Sequence, residues 1–358
     1  MSRLSHNTGR ALRHVCMVDK GGGLSRNLLV TGAAGFIGSH TVQTLVAQGD
    51  RVVGLDNLND YYDPARKRAN LDEVRQALSQ SGSGEAFTFI QGDIRNRQTV
   101  EELFSSHEFD GIVHLAAMAG VRASIENPHL YCDVNINGTL NLLDAAVGRL
   151  GRRGRRDTLP TFVFASTSSV YGNTEAIPFR ESDQCDRPLA PYAASKKAGE
   201  LLGYSYHHVY GLPFTALRFF TVYGARGRPD MMAYKVLDNI FFGHDVPLYN
   251  SGNMHRDWTF VSDIVHGVVS AVDRPFGYEI LNLGRGEPVS LAEFVQVIEE
   301  CVGQKAHVVS APMPEADIVS TCADISRARE LLGYAPQIPV REGISLFWAW
   351  YQKSVLGR

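Results

Sequence analysis

"NLLVTGAAGFIGSHTVQTLVAQGDRVVGLDN", residues 27 to 57, reads as strand, turn, helix and strand in one unbroken stretch. Leu28 to Val30 form a short apolar run suited to a buried strand, and Ile37, Val42, Leu45 and Val46 recur at helical spacing. Gly49 stops the helix, and "RVVGLD" makes the second strand. Gly32, Gly35 and Gly38 lie in the turn, where glycine lets the backbone approach a pyrophosphate at the helix N-terminus, beside Phe36 and Ile37. The spacing G-x-x-G-x-x-G is a weak signal by itself. Asp56 strengthens it, because a carboxylate at the end of the second strand can accept hydrogen bonds from both ribose hydroxyls and repel a 2′-phosphate. NAD is therefore the expected cofactor.

Working outward, the alternation continues through "FTFIQGD", a helix around Val100 to Phe104, "GIVHLAA", a helix from about Tyr131 to Leu150, and "TFVFAST". A helix from about Pro191 to Tyr210 and the strand "FTALRFF" follow. Such a pattern predicts an α/β fold with a parallel sheet covered on both faces. After Phe220 glycine and proline punctuate shorter elements, although a helix-then-strand pattern from about Asp263 to Gly284 is suited to rejoin the sheet. The expected architecture is a Rossmann-type doubly wound parallel sheet with a smaller, mixed α/β C-terminal substrate domain. Residues 27–221 and 259–284 are assigned to the NAD-binding part, and 222–258 and 285–358 to the substrate part.

The 358 residues carry a net charge of −3 and 44% hydrophobic content, which gives no electrostatic reason to expect nucleic acid or an anionic membrane. No stretch has the roughly 20 apolar residues a membrane span needs. Five scattered cysteines without C-x-x-C spacing point to a reducing, cytoplasmic compartment rather than to disulfides or zinc. Residues 1–26 are polar, have no apolar run of signal-peptide length, and are expected to be a mobile tail or an over-long start. The arginine-rich "RLGRRGRRD", 149–157, reads as a solvated loop, with a phosphate or polyanion site as the alternative.

"YAASK" sets Tyr192 and Lys196 four residues apart, on one helix face, after the strand that ends at Thr167. A lysine ammonium near a phenol favours the phenolate, so this tyrosine is a candidate base. Ligands gather at the carboxyl ends of parallel strands, which would bring Thr167, Tyr192 and Lys196 around a substrate hydroxyl. His207 and His208 point to different faces of one helix, and His40, His114 and His266 lack acidic or cysteine neighbours at ligand spacing. No metal site is expected.

"TGAAGFIG" (31–38), "TSSVYG" (167–172) and "YAASK" (192–196), in this order, resemble the extended short-chain dehydrogenase/reductase family, whose members act mainly on nucleotide sugars. Over about residues 27 to 352 the resemblance sharpens. "GLDNLNDYYDPARKRANL", "HLAAMAGVRASIENP", "RFFTVYGARGRPDM" and "YNSGNMHRDWTFVSDIV" are similar to the UDP-glucuronate 4-epimerase branch. The resemblance implies that Gly32, Gly35, Gly38, Asp56, Asn57, Asp93, Ile94, Leu115, Ala116 and Ala117 hold NAD, with Lys196 on its ribose. It also implies that Tyr192 and Thr167 work on the sugar C4 hydroxyl. Arg256 and residues 226–231 would line the pocket for UDP and sugar, and a homodimer would form through the helices near 131–150 and 191–210. The family's C-terminal "GD" has Ala316 in place of the glycine, within "PEADIVSTCAD", which puts a UDP contact there in doubt.

The resemblance also gives meaning to Ser168 and Ser169. Related 4,6-dehydratases carry T-D-E and related decarboxylases T-S-E where this chain has Thr167, Ser168 and Ser169. Without those acids the site is expected to stop at a 4-keto sugar and return it, reduced on the other face. A 4-keto uronate is a β-keto acid, so its carboxylate needs an anchor. The resemblance places Thr221 and Arg228 at that carboxylate, where a guanidinium can bind bidentately, with Ser168 and Ser169 adding hydrogen bonds. Arg122 ranks second for phosphate or carboxylate. The rival readings are a UDP-glucose 4-epimerase, whose neutral sugar would leave a buried Arg228 unpaired, a UDP-glucuronate decarboxylase, and a non-catalytic NAD-binding regulator.

Overall fold

A computed structural model describes residues 25–149, 158–174, 176–313 and 317–358. Most of the expected tail, the arginines of the 149–157 run after Arg149, and Ala316 lie outside the described residues. Arg26, assigned above to the tail, is tied to the fold by ion pairs to Asp50 at 2.6 Å and Asp273 at 2.8 Å.

In chain order the first half runs β1 (Asn27–Thr31), α1 (Phe36–Ala47), β2 (Arg51–Asp56), α2 (Pro64–Gln80), β3 (Phe87–Gln91), α3 (Arg97–Ser106) and β4 (Gly111–His114). Two short helices, α4 (Val121–Glu126) and α5 (Pro128–Cys132), a π-helical stretch (Asp133–Gly138) and α6 (Thr139–Ala146) lead to β5 (Thr161–Thr167), α7 (Pro191–Tyr210) and β6 (Phe214–Phe219). The chain then leaves the sheet through β7 (Thr221–Tyr223), α8 (Met232–Phe242), β8 (Asp245–Tyr249), β9 (His255–Arg256) and β10 (Trp258–Phe260). It returns by α9 (Val261–Asp273) and β11 (Tyr278–Leu283) and ends with β12 (Val289–Ser290), α10 (Leu291–Val302), β13 (His307–Ala311), α11 (Ser326–Leu332) and α12 (Val340–Ser354).

Seven parallel strands form the central sheet in the order β11-β6-β5-β4-β1-β2-β3. Leu28, Leu29 and Val30 are fully buried, as a strand covered on both faces requires. The order reverses between β1 and β4, and beyond the carboxyl ends of these strands a cleft opens where ligands of such sheets bind. Outside the sheet, Trp258 stacks on Phe294 with centroids 3.8 Å apart, and Tyr223 meets both edge-on. Asp257, wholly buried, accepts hydrogen bonds from the backbone of Arg285, Gly286 and Ala323 and from the Thr259 hydroxyl, which ties three chain segments together.

Two elements differ from expectation. α2 went unrecognised because its mean hydropathy is low and its apolar positions are few, although Asp63 caps the Ala65 amide and Pro64 opens the helix. The single helix expected near 131–150 is interrupted by the π-helical stretch. There Asn135 bonds both backbone groups of Met118, at 2.8 and 3.0 Å, and the Ser195 hydroxyl at 2.9 Å. A widened turn delivers that side chain inward to bind α7 to the loop after β4.

Among the described residues no helix is long and apolar enough to cross a membrane, no cluster of His, Cys, Asp and Glu is arranged to hold a metal ion, and Cys132, Cys185, Cys301 and Cys322 are free thiols.

Candidate active site

A cavity of about 370 Å³ opens at the switch point of the sheet. Every residue expected to hold the cofactor lines it: Gly32, Gly35, Phe36, Ile37, Gly38, Asp56, Asn57, Asp93, Ile94, Leu115, Ala116, Ala117, Tyr192 and Lys196. Gly32 adopts φ +72°, and a Cβ there would come within 2.8 Å of the Ala116 nitrogen. A Cβ on Gly38 would overlap the Gly32 carbonyl oxygen. This cradle of bare backbone at the N-terminus of α1 fits a dinucleotide pyrophosphate. Gly38→Ala is expected to weaken cofactor retention by about 10- to 100-fold, since overpacking costs about 1–3 kcal/mol. NAD content after gel filtration measures the loss.

Asp56 accepts from the amides of Ala34 at 3.1 Å and Leu58 at 2.8 Å, which fixes the carboxylate while lone pairs remain for ribose hydroxyls. Burial pushes its pKa up, and the Leu58 bond and the field of Lys67 oppose the rise. Lys67, overlooked in the sequence, lines the same cavity and bonds Asn59. Burial would also raise Asp93, but hydrogen bonds from Arg95 and Asn57 prevail and hold it near 2. His114 is a core residue, held between the hydroxyls of Thr31 at 2.8 Å and Thr139 at 2.9 Å, and burial keeps it neutral.

Thr167, Ser168, Ser169, Tyr192, Lys196, Thr221 and Arg228 face the same cavity. Thr167 ends β5 and caps the turn that follows, accepting from the Ser169 amide and donating to the Ser169 hydroxyl, both at 3.2 Å. Burial raises the Tyr192 pKa, while the field of Arg228 and a hydrogen bond with Thr167 pull it back. The sequence assigned that pull to Lys196. In the structure the Lys196 ammonium lies over the Phe164 ring, 4.5 Å from its centroid, and the field of Arg228 also favours the phenolate. Behind Lys196, Glu200 is fully buried and accepts from Arg218 twice, from Lys197, and from Ser166 at 2.6 Å. Ser166 thus serves this internal network.

Lys196 is 2% exposed, and burial lowers its pKa to about 7 against the opposing pull of Glu200. The folded state therefore binds fewer protons than the unfolded chain between pH 7 and the ordinary lysine value of 10.5. Stability from this group is full above 10.5 and lost as pH falls through about 7. Lys196→Met is expected to stabilise the nucleotide-free protein at pH 6 by on the order of a few kcal/mol and to flatten its stability profile from neutral to alkaline pH. Denaturant titrations at several pH values check this.

Arg228 lies over the Tyr61 ring and donates Nε and Nη2 to the two oxygens of Asp230, at 2.9 and 2.8 Å. Tyr61 donates to the same carboxylate at 3.3 Å. The Nε–Nη2 edge of Arg228 is thus engaged, which leaves Nη1 and the second Nη2 hydrogen for a ligand, and the guanidinium is not left alone when a neutral sugar binds. Sequence reasoning missed Tyr61 and Tyr62, although "NDYYD" flags the stretch, and it placed Asp230 within the 226–231 pocket run without foreseeing its pairing with Arg228.

Arg122 and Arg256 do not line this cavity. They converge instead on Asp317, at 3.4 and 2.8 Å, and Arg122 also reaches the Tyr249 hydroxyl at 3.4 Å. Asp317 is the acid of the altered "GD" motif.

Residues 29–347 match a family model described as GDP-mannose 4,6 dehydratase. The chain belongs to the NAD-dependent epimerase/dehydratase family of extended short-chain dehydrogenases/reductases. Within that family it is 40% identical to UDP-glucuronate 4-epimerase from Thermodesulfobacterium geofontis over 328 residues, 91% of this chain and 96% of that one. UDP-glucuronic acid 4-epimerase from Bacillus cereus, in complex with UDP-glucuronic acid and NAD, superposes with a TM-score of 0.81 at 31% identity, covering 91% and 99% of the two chains. UDP-glucose 4-epimerase from Thermotoga maritima, with UDP-glucose, gives 0.80 at 28% identity, covering 92% and 99%.

Proposed function

We propose that this protein interconverts UDP-glucuronate and UDP-galacturonate by NAD-dependent epimerisation at C4. The observation that carries the reading is that one cavity brings together a pyrophosphate cradle, the Thr167–Tyr192 pair and Arg228, with hydroxyls at Ser168 and Ser169. Bound in the cradle, NAD supplies the two-electron oxidation and reduction at the sugar carbon. Several of the relatives that match are named as UDP-glucuronate 4-epimerases, which supports the same choice.

The protein's own groups do the rest. Tyr192, once ionised, accepts the proton of the C4 hydroxyl and returns it to that same oxygen once the sugar has turned and presented its other face. Thr167 holds the phenol by a hydrogen bond and stands beside the same oxygen. Arg228 and Thr221 hold the C6 carboxylate out of the alignment with the C4 carbonyl that loss of CO₂ requires. Arg228 presents Nη1 and the remaining hydrogen of Nη2, because Asp230 occupies the other edge. Ser168 and Ser169 provide neither a carboxylic acid to protonate a C6 leaving group nor a carboxylate to take the C5 proton, so elimination lacks its acid and base there. Arg122 and Arg256, which converge on Asp317, and the neighbouring Tyr249 are the groups assigned to the UDP moiety.

This reading includes residues 27–221 with 259–284 as the cofactor-binding part and 222–258 with 285–358 as the substrate part. It also includes a homodimer through α7, supported by the outward Leu201, Tyr204 and Val209, which are 58, 53 and 65% exposed, and a reducing cytoplasmic setting, supported by the free thiols. Incubation with UDP-glucuronate should yield UDP-galacturonate by proton NMR. Unchanged UDP-glucuronate beside epimerised UDP-glucose would contradict it.

A further inference from the structure

The cavity contains a cation that has already been paid for. Asp230 meets Arg228 edge to edge through both carboxylate oxygens, and Tyr61 steadies the same carboxylate, yet Asp230 itself does not line the cavity. Met231 bonds back to the Arg228 carbonyl at 3.2 Å, and the resulting turn folds Asp230 onto its neighbour. A ligand therefore meets one face of an ion pair rather than a lone guanidinium. An anionic group entering there shares Arg228 with a second carboxylate, which reduces what it gains. A neutral hydroxymethyl group leaves Arg228 still paired, which removes most of the penalty that an isolated buried charge would impose.

We propose that Asp230 is a specificity-determining residue, which acts through Arg228 to lessen the preference for a C6 carboxylate over a C6 hydroxymethyl group, so that the same cavity binds UDP-hexoses as well as UDP-uronates. The inference rests on the reading that Arg228 faces C6 of a UDP-sugar. It differs from the usual view of a paired arginine as a purely attractive anchor, because the partner carboxylate competes with the substrate's own.

Calorimetric titration of UDP-glucuronate and UDP-glucose into the cofactor-loaded wild type, Asp230→Asn and Asp230→Glu tests this. Removing the charge is expected to raise the ratio of the two dissociation constants in favour of the uronate by about tenfold, limited by the third of Asp230 that remains in contact with solvent. Asp230→Glu should return the ratio towards the wild-type value, which a merely structural role would not require. Asp230→Ala, which lacks the amide donors that asparagine would turn towards the guanidinium, should move the ratio in the same direction and serves if the asparagine variant fails to fold. A ratio that stays level or falls in the charge-removing variants overturns the inference, as does a wild type that binds neither ligand. Turnover of UDP-glucuronate by the wild type is followed alongside. Its absence, with the ratio moving as expected, counts against the proposed reaction alone.

Discussion

Tyr192→Phe is expected to lower turnover of UDP-glucuronate by about 10³-fold while leaving NAD in place, since a positioned general base contributes about 10²- to 10⁴-fold. The variant removes one oxygen and keeps the ring that packs edge-on against Tyr131 at 6.2 Å. The fold and the affinity for substrate should therefore change little, and the loss should fall on kcat rather than KM. In the wild type, burial raises the phenol above its ordinary value and Arg228 opposes that shift, so the active, ionised form grows as pH rises. Activity should climb from neutral towards alkaline pH, and the variant should lose that climb. Steady-state rates across pH, with NAD content measured in the same samples, check both statements.

Arg228→Met should produce an effect of similar size by a different route. Breaking a buried pair leaves its partner uncompensated at a cost of about 3–5 kcal/mol. Here the surviving Asp230 would stand near the substrate carboxylate and repel it, so KM for UDP-glucuronate should rise by at least about 10²-fold. Two further consequences separate this from simple damage. With the carboxylate free to rotate, part of the product should appear as a UDP-pentose with released CO₂. With the cation gone, the alkaline climb in activity should move to higher pH, because the opposition to the Tyr192 shift is lost. Product analysis by NMR, CO₂ trapping and the pH profile read the three effects separately.

The sheet was legible because its signals are local. The apolar run of β1, the glycine turn, the helical spacing of α1 and the acid at the end of β2 lie within 31 consecutive residues, and each has one dominant physical meaning. The residues that face the cavity followed, because parallel topology sends strand ends to one side. What was hidden depends on contacts between distant positions or on irregular backbone. Arg256 meets Asp317 across 61 residues, and Glu200 meets Arg218 and Ser166 across 18 and 34. Asp230 stands two residues from Arg228 in a stretch that is neither helix nor strand, and no periodicity announces the turn that folds the two side chains together. The π-helical stretch was equally silent: Val134, Asn135 and Gly138 fit a helix by pattern, and only the bonds of Asn135 to Met118 and Ser195 explain the extra width. Spacing put Lys196 on the helix face that lines the cavity but could not announce its seat over the Phe164 ring, since spacing leaves open where a long flexible side chain ends.

The central claim is that the site oxidises C4, turns the sugar and restores the same carbon without breaking the C5–C6 bond. UDP-glucuronate labelled with deuterium at C4 tests it most directly, mixed with an equal amount of unlabelled substrate and followed by NMR and mass spectrometry. The account predicts UDP-galacturonate with deuterium retained at C4, little loss to water and no CO₂. Loss of the label, or a pentose as the main product, would contradict it.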